Sequence, residues 1–229
     1  MLKVVVFDSG YGGELFADYL QENLPVIQII RVIDWRNANK MIHRPKDARK
    51  IAEVAIRPYI GRVDLIIFAN HLLTVTSLKY FRRKYKNQKF LGLDLKQPDN
   101  FIARDTLILT TKAVAHTINY HNFLFRLKRR TKTITLDAWP AKIDNGNLES
   151  SEVINALKLF SIKERIYPKD VILACSQFSD LKPELKICFG GNLKIYDSFA
   201  DAYSKTCKIL KLRGGTGRKK SWIFPLYKL

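Results

Sequence analysis

Phe7-Asp8-Ser9-Gly10-Tyr11-Gly12-Gly13 follows directly on the apolar run Leu2-Lys3-Val4-Val5-Val6. The run reads as a buried strand that stops at Asp8. The glycines read as a turn, and Glu14–Asn23 as a helix with Leu15, Phe16, Tyr19 and Leu20 on one face, ending before Pro25. Glycine tolerates close backbone approach, which a strand-to-helix turn around a ligand requires. The spacing fits neither G-x-G-x-x-G nor the Walker pattern, so it argues against a nucleotide loop. Two uses compete for the segment. Ser9 and the first N–H groups of the helix could hold a carboxylate while Asp8 steers a proton acceptor or binds an ammonium. Alternatively, Asp8 only caps a tight turn.

Working outward, further apolar runs alternate with helix-like stretches. Strands are expected at Val26–Ile33, Asp64–Phe68, Phe90–Leu95, Leu107–Leu109, Thr133–Asp137, Val171–Ala174 and Lys194–Tyr196. Helices are expected at Asp47–Ile60, from about Lys112, at Ser151–Phe160 and at Phe199–Leu212. Continuous apolar strands between helices imply parallel sheets covered on both faces, an α/β fold. Asp64-Leu-Ile-Ile-Phe-Ala-Asn echoes Asp170-Val-Ile-Leu-Ala-Cys-Ser, which points to a duplicated domain. The expected organisation is two pseudo-symmetric α/β domains, residues 1–95 plus 207–229 and residues 96–206. Ligands bind beyond the carboxyl ends of such strands, so the active site is expected in the interdomain cleft, with Ala69–His71 facing Cys175–Gln177.

The 229 residues are enough for one domain or two small ones. Their 47% hydrophobic content excludes disorder, and 11 Gly and 8 Pro exclude collagen-like and low-complexity classes. No apolar run spans a bilayer, and the first one is too short for a secretory signal. Three cysteines, none in C-x-x-C, argue against a disulfide framework and for a reducing cytoplasm. Neither they nor the four histidines show metal-ligand spacing. Forty Lys and Arg against 21 Asp and Glu leave a net charge of +19. The excess gathers in three clusters: Lys79, Arg82, Arg83, Lys84, Lys86 and Lys89; Arg126, Lys128, Arg129, Arg130 and Lys132; and the tail from Lys211 to Lys228. Such runs are usually solvated faces. They permit a nucleic-acid or acidic-protein partner without establishing one, since no nucleic-acid module is present.

Here the sequence resembles the glutamate racemase family. Residues 6–13 reproduce its strand followed by F-D-S-G-x-G-G. Phe68-Ala69-Asn70-His71 resembles its A-C-N-T, and residues 110–120 resemble its G-T-x-x-T-I-x-S-x-x-Y. Ala138-Trp139-Pro140 resembles A-C-P, Ala174–Leu181 resembles G-C-T-H-Y-P-L-L, and Asp197-Ser198-Phe199 resembles D-S-A. The resemblance implies a cofactor-independent isomerase of two similar domains. In that family two cysteine thiols flank the α-carbon of a small acidic amino acid and exchange its proton. It further implies catalytic roles for Cys175 and Asp8, and substrate-binding roles for Ser9, Asn70, Thr111 and Ser176. No metal or organic cofactor is implied, and a homodimer is compatible with the family.

The chain departs from this pattern at its centre. Ala69 stands where the first thiol belongs, His71 replaces the Thr two positions on, and Gln177 replaces the His beside the second thiol. The family's substrate loop aligns only loosely, with Asn39-Lys40-Met41. Three readings follow. In the first, His71 serves as the second proton carrier of a racemase, since an imidazole is a competent base near neutrality. A single thiol suffices for a decarboxylase of substituted malonates. Or the chain is a catalytically inactive paralogue that works by binding, its basic surface engaging nucleic acid or protein. The first reading is adopted as the expectation, with catalytic Cys175, Asp8 and His71.

Overall fold

A computed structural model of the chain describes residues 1–43, 45–95, 105–127 and 131–212. The first half runs β1 (Leu2–Asp8), α1 (Tyr11–Asn23), β2 (Ile27–Ile33), α2 (Ala38–His43), α3 (Pro45–Ile56), β3 (Leu65–Phe68), α4 (His71–Lys84) and β4 (Phe90–Gly92). The second runs β5 (Thr106–Thr110), α5 (Lys112–Ala115), α6 (Ile118–Leu127), β6 (Thr131–Thr135), α7 (Trp139–Asp144), α8 (Ser150–Glu164) and β7 (Asp170–Leu173). It continues through a 3-10 turn at Ser176–Leu181 to α9 (Lys182–Phe189), β8 (Lys194–Tyr196) and α10 (Phe199–Leu210). The two sheets have the same order, β2-β1-β3-β4 and β6-β5-β7-β8, and every pairing is parallel. The expected architecture of two parallel-sheet domains flanked by helices is therefore observed.

The chemistry of the central strands explains the layers. From Val4 onward β1 is buried, and β3, β5 and β7 are buried throughout, so both faces must be covered by helices. In the first half Val4, Val6, Leu65 and Ile67 pack with α1 and α10. Val5, Phe7, Ile66 and Phe68 pack with α2, α3 and α4 on the opposite face. In the second half Leu107, Leu109, Val171 and Leu173 pack with α7, α8 and α9, while Ile108 and Ile172 pack with α6. Leu72 of α4 joins that last cluster, so the two halves share apolar contact. The expected boundary at 206/207 falls inside α10, which already packs Phe199 and Ala202 on the first sheet's core.

Several element bounds differ from expectation for local reasons. The helix expected to Ile60 stops at Ile56, because Pro58 sits in the 3-10 turn Arg57–Tyr59 that follows it. β6 begins two residues before the expected Thr133, and β4 ends at Gly92 instead of Leu95. α4 and α9 are helices that the sequence pattern does not single out.

One correction matters for the site. The Asp34 N–H donates to the Asp8 carbonyl, and the Leu136 N–H to the Thr110 carbonyl, each at 2.9 Å, so Asp8 and Thr110 are counterparts. Phe7 pairs with Phe68 and Leu109 with Leu173. The next residues, Ala69 and Ala174, donate their N–H groups to Phe7 and Leu109, each at 2.8 Å. Ala69 thus corresponds to Ala174, and Asn70 to Cys175. The sequence echo that matches Ala69 with Cys175 is one residue out of register, and in a strand that slip exchanges the faces. Ala69 accordingly packs in the core cluster of the first sheet with no exposed surface.

Candidate active site

The carboxyl ends of β1, β3, β5 and β7 meet around a cavity of about 40 Å³. Ser9, Met41, Asn70, His71 and Leu72 line it from the first half. Thr111, Val114, Pro140 and the segment Ala174–Gln177 line it from the second. By volume it holds only a few water molecules. The expected site residues Cys175, His71, Ser9, Asn70, Thr111 and Ser176 are brought together here. Asp8 lies directly behind, bonded to three neighbours of the cavity. Ala69 is not in the lining, so the segment facing Cys175–Gln177 is Asn70–His71.

The glycines explain how two halves come this close. A Cβ at Gly12 would lie 2.7 Å from the Gln177 backbone nitrogen and closer still to Ser176 Oγ. A Cβ at Gly10 would lie 2.6 Å from Asp144 Oδ2 and 2.7 Å from Gln177 Nε2. The Gly10 neighbours are side-chain ends that can shift, but the Gly12 neighbours include backbone, so glycine at 12 is what lets the start of α1 seat against the segment after β7. The Tyr11 N–H there donates to Asp144 Oδ1 at 2.8 Å, joining the halves by a hydrogen bond.

Asp8 is fully buried at the end of β1. Its Oδ1 accepts from the Ser9 N–H at 2.7 Å and from Asn70 Nδ2 at 2.9 Å, and its Oδ2 accepts from Ser176 Oγ at 3.1 Å. Burial raises its carboxyl to about 7 against the lowering effect of these donors, with nearby Asp144 adding repulsion. Asn70 also caps α4, its Oδ1 accepting from the Leu73 N–H at 2.9 Å. Asn70 and Ser176 therefore grip Asp8 as well as facing the cavity.

Cys175 is partly buried, and its thiol donates to Gln177 Oε1 at 3.0 Å. Burial pushes the thiol well up. The N–H groups of Gln177 and Phe178 oppose this, while Asp8 and Asp144 reinforce it. The resting group is thus a neutral thiol. The Gln177 oxygen also receives Ser176 Oγ at 3.3 Å, and its side chain bonds Asp144, whose own carboxyl burial raises. All three cysteines are free. Trp139 is buried edge-on against Phe178 in the core and does not line the cavity, whereas Pro140 does.

His71 opens α4 and is 3% exposed. Its Nε2 lies 3.0 Å from Ser198 Oγ, and its Nδ1 is buried with no partner. Burial pushes the ring down to about 4 despite the pull of Asp197, so it is neutral above that range. Asp144 is missed by sequence reasoning, and Met41 and Ser198 enter it only inside motif matches, without an assigned role. Met41 lies on α2, in the segment loosely matched to the family's substrate loop. Asp144 carries no sequence signal, since its role rests on contacts 133 residues away. Of the basic clusters, Arg82 donates to the Phe90 carbonyl and Lys84 pairs with Glu53. Lys128, Arg129, Arg130 and residues 213–229 of the tail lie outside the described residues. No described helix is long and apolar enough to cross a membrane.

No family model matches the chain. It is 21% identical over 230 residues to the glutamate racemase of Ruegeria pomeroyi, covering 87% of this chain and 84% of that protein. Among solved structures, the glutamate racemase of Francisella tularensis in complex with D-glutamate matches with a TM-score of 0.78 at 18% identity. That match covers 93% of this chain and 84% of that one. The glutamate racemase of Campylobacter jejuni matches with a TM-score of 0.75 at 21% identity, covering 94% and 88%. The chain is thus similar to glutamate racemases in sequence over most of its length, and shares their fold over nearly all of it.

Proposed function

We propose that the chain binds a small acidic amino acid between its two domains, which part to widen the small closed cavity, and moves the α-proton between His71 and Cys175, as a racemase-like isomerase with one thiol. The observation that carries this reading is the shared cavity. Cys175 and His71 come from opposite halves and line it together, whereas the position of the family's first thiol, Ala69, lies in the core. The ligand bound to the Francisella tularensis enzyme, D-glutamate, supports the substrate class.

The two groups rest in complementary states. The Cys175 thiol donates to Gln177, and His71 Nδ1 has no hydrogen-bond partner and is free to act as acceptor. In one direction Nδ1 takes the α-proton, and the Cys175 S–H delivers its own to the opposite face of the planar carbanion. The products are the inverted amino acid, an imidazolium and a thiolate. The buried thiolate is tolerable because a buried cation forms in the same step. Proton return from imidazolium to thiolate resets the site. Asp8, behind the lining, orients Asn70 and Ser176 toward the substrate, and the hydroxyls of Ser9 and Thr111 serve the carboxylate where carbanion charge collects. The reading calls on no cofactor and places the protein in the cytoplasm.

The test is α-proton exchange in D₂O, followed by NMR with chirality read in parallel, for L- and D-glutamate and L- and D-aspartate. Exchange with inversion, reduced at least about 100-fold in both Cys175→Ser and His71→Gln, is the expected result. A second reading is favoured by Cys175 being the one cysteine in the cavity lining. Exchange with retention that depends on Cys175 alone would support that one-sided site, suited to a decarboxylase. Absence of exchange with all four would sink the racemase reading.

A further inference from the structure

The segment around Ser198 carries one more inference, which rests on the placement of His71 in the proposed site. Ser198 stands at the N-cap of α10, where a serine hydroxyl ordinarily accepts a backbone N–H of its own helix. Here it makes no such bond. Its Oγ lies 2.9 Å from the Asp94 carbonyl oxygen and 3.0 Å from His71 Nε2. The residue is 8% exposed, so these two contacts account for its polar chemistry.

The direction of both bonds follows from the groups themselves. A carbonyl oxygen can only accept, so the single hydroxyl hydrogen of Ser198 goes to Asp94. The Ser198 oxygen is then left as an acceptor toward His71, and Nε2 must carry the ring hydrogen. In a neutral imidazole that makes Nδ1 the bare lone pair. Nδ1 is the atom found buried without a partner, in a residue that lines the cavity. The alternative tautomer would bury an Nδ1–H with no acceptor and set the Nε2 lone pair against an oxygen whose hydrogen is already committed. Two unfavourable contacts would replace one good bond.

We infer that Ser198 is a positioning residue that fixes His71 as the Nε2–H tautomer through the Asp94 carbonyl, so that Nδ1 is the site's proton acceptor. The reacting geometry benefits in a specific way. Protonation at Nδ1 yields an imidazolium whose Nε2–H stays on Ser198, so the ring need not turn during the proton transfer. The arrangement spans the fold: Asp94 follows β4, His71 opens α4 and Ser198 precedes α10. Closing α10 onto the first sheet therefore completes the site as well as the core.

The test reads the tautomer directly. Protein labelled with ¹⁵N at histidine is examined by NMR at pH 7.5, with the His71 signals assigned by their loss in His71→Gln. The wild-type shifts should show the Nε2–H form in excess by about tenfold, the weight of one net hydrogen bond. Ser198→Ala should bring the two tautomers to comparable populations, and Ser198→Thr, which keeps the hydroxyl, should restore the excess. A wild-type protein in the Nδ1–H form, or an unchanged ratio in Ser198→Ala, overturns the inference. If Ser198→Ala does not fold, the wild-type spectrum and Ser198→Thr still decide. The α-proton exchange assay separates this inference from the reading beneath it. The expected tautomer without exchange supports the positioning role and removes the racemase; exchange with the Nδ1–H form does the reverse.

Discussion

Asp8 and His71 are both buried and both neutral over much of the same pH range, because burial shifts them in opposite directions. Burial raises the Asp8 carboxyl from 3.8 to about 7, and burial lowers the His71 ring from 6.5 to about 4. Between pH 4 and 6.5, roughly, folding adds a proton at Asp8 that the unfolded chain lacks. Over the same window it removes one at His71 that the unfolded chain carries. The two slopes oppose each other, so their sum is nearly flat. Single variants unmask them. In Asp8→Asn only the His71 contribution remains, and stability relative to wild type should rise with pH from about 4 to 6.5. In His71→Gln only the Asp8 contribution remains, and stability should fall as pH rises from about 4 to 7. The limiting slope is about 1.4 kcal/mol per pH unit for one proton. Urea denaturation at half-unit pH steps would show it. Difference profiles with the same sign for both variants would contradict the burial of one of the two groups.

At the scale of elements, the turn between β1 and α1 does the joining. Gly12→Ala would push a methyl into Ser176 and the Gln177 backbone, neither of which can retreat without moving the segment that carries Cys175. The expected cost is about 1–3 kcal/mol, together with loss of α-proton exchange. Gly61→Ala is the control. Its φ is +73° with nothing within 4 Å, so it should cost about 1 kcal/mol through the backbone alone and leave exchange intact. Thermal melts and the exchange assay together would distinguish the two. The same turn shows what was legible in the sequence. Three consecutive valines, a stop at Asp8 and a glycine turn require no partner to be recognised, because each is a local preference. α4 was not legible in that way. Its Thr74-Val75-Thr76 run disfavours a helix locally, and the segment is held by the Asn70 cap and by burial on the sheet. Asp144 and Ser198 act on residues more than a hundred positions distant, Tyr11 and His71, and no local pattern announces such a contact. The register of the internal echo was lost for a related reason. The resemblance of Asp64 to Asp170 is chemical, but hydrogen bonding places Asp170 inside its strand and Asp64 before one.

For the whole molecule, the decisive step is the return of the chain to its first sheet. Phe199 packs edge-on to Phe16 with ring centroids 5.1 Å apart, and Ala202, Cys207 and Leu210 lie in the same core as Val4, Val6 and Ile67. Lys205 adds ion pairs to Asp94 and to Asp201. The first domain is thus incomplete until the second has been made, which couples the two in folding. Burying a large apolar side chain is worth about 1.5–3 kcal/mol, so α10 supplies on the order of 5 kcal/mol, comparable to the whole stability of a typical domain. A chain ending at Asp197 should therefore lose its cooperative thermal transition and bind a hydrophobic dye. Phe199→Ala in the full chain should keep a cooperative transition but lower stability by about 3–5 kcal/mol. The point variant also tests the coupling of core to chemistry. Ser198 directly precedes the deleted ring, so loosening α10 should disturb the His71 tautomer even though Phe199 does not line the cavity. A destabilised Phe199→Ala protein with an unaltered His71 spectrum would show that the return of the chain serves the core alone.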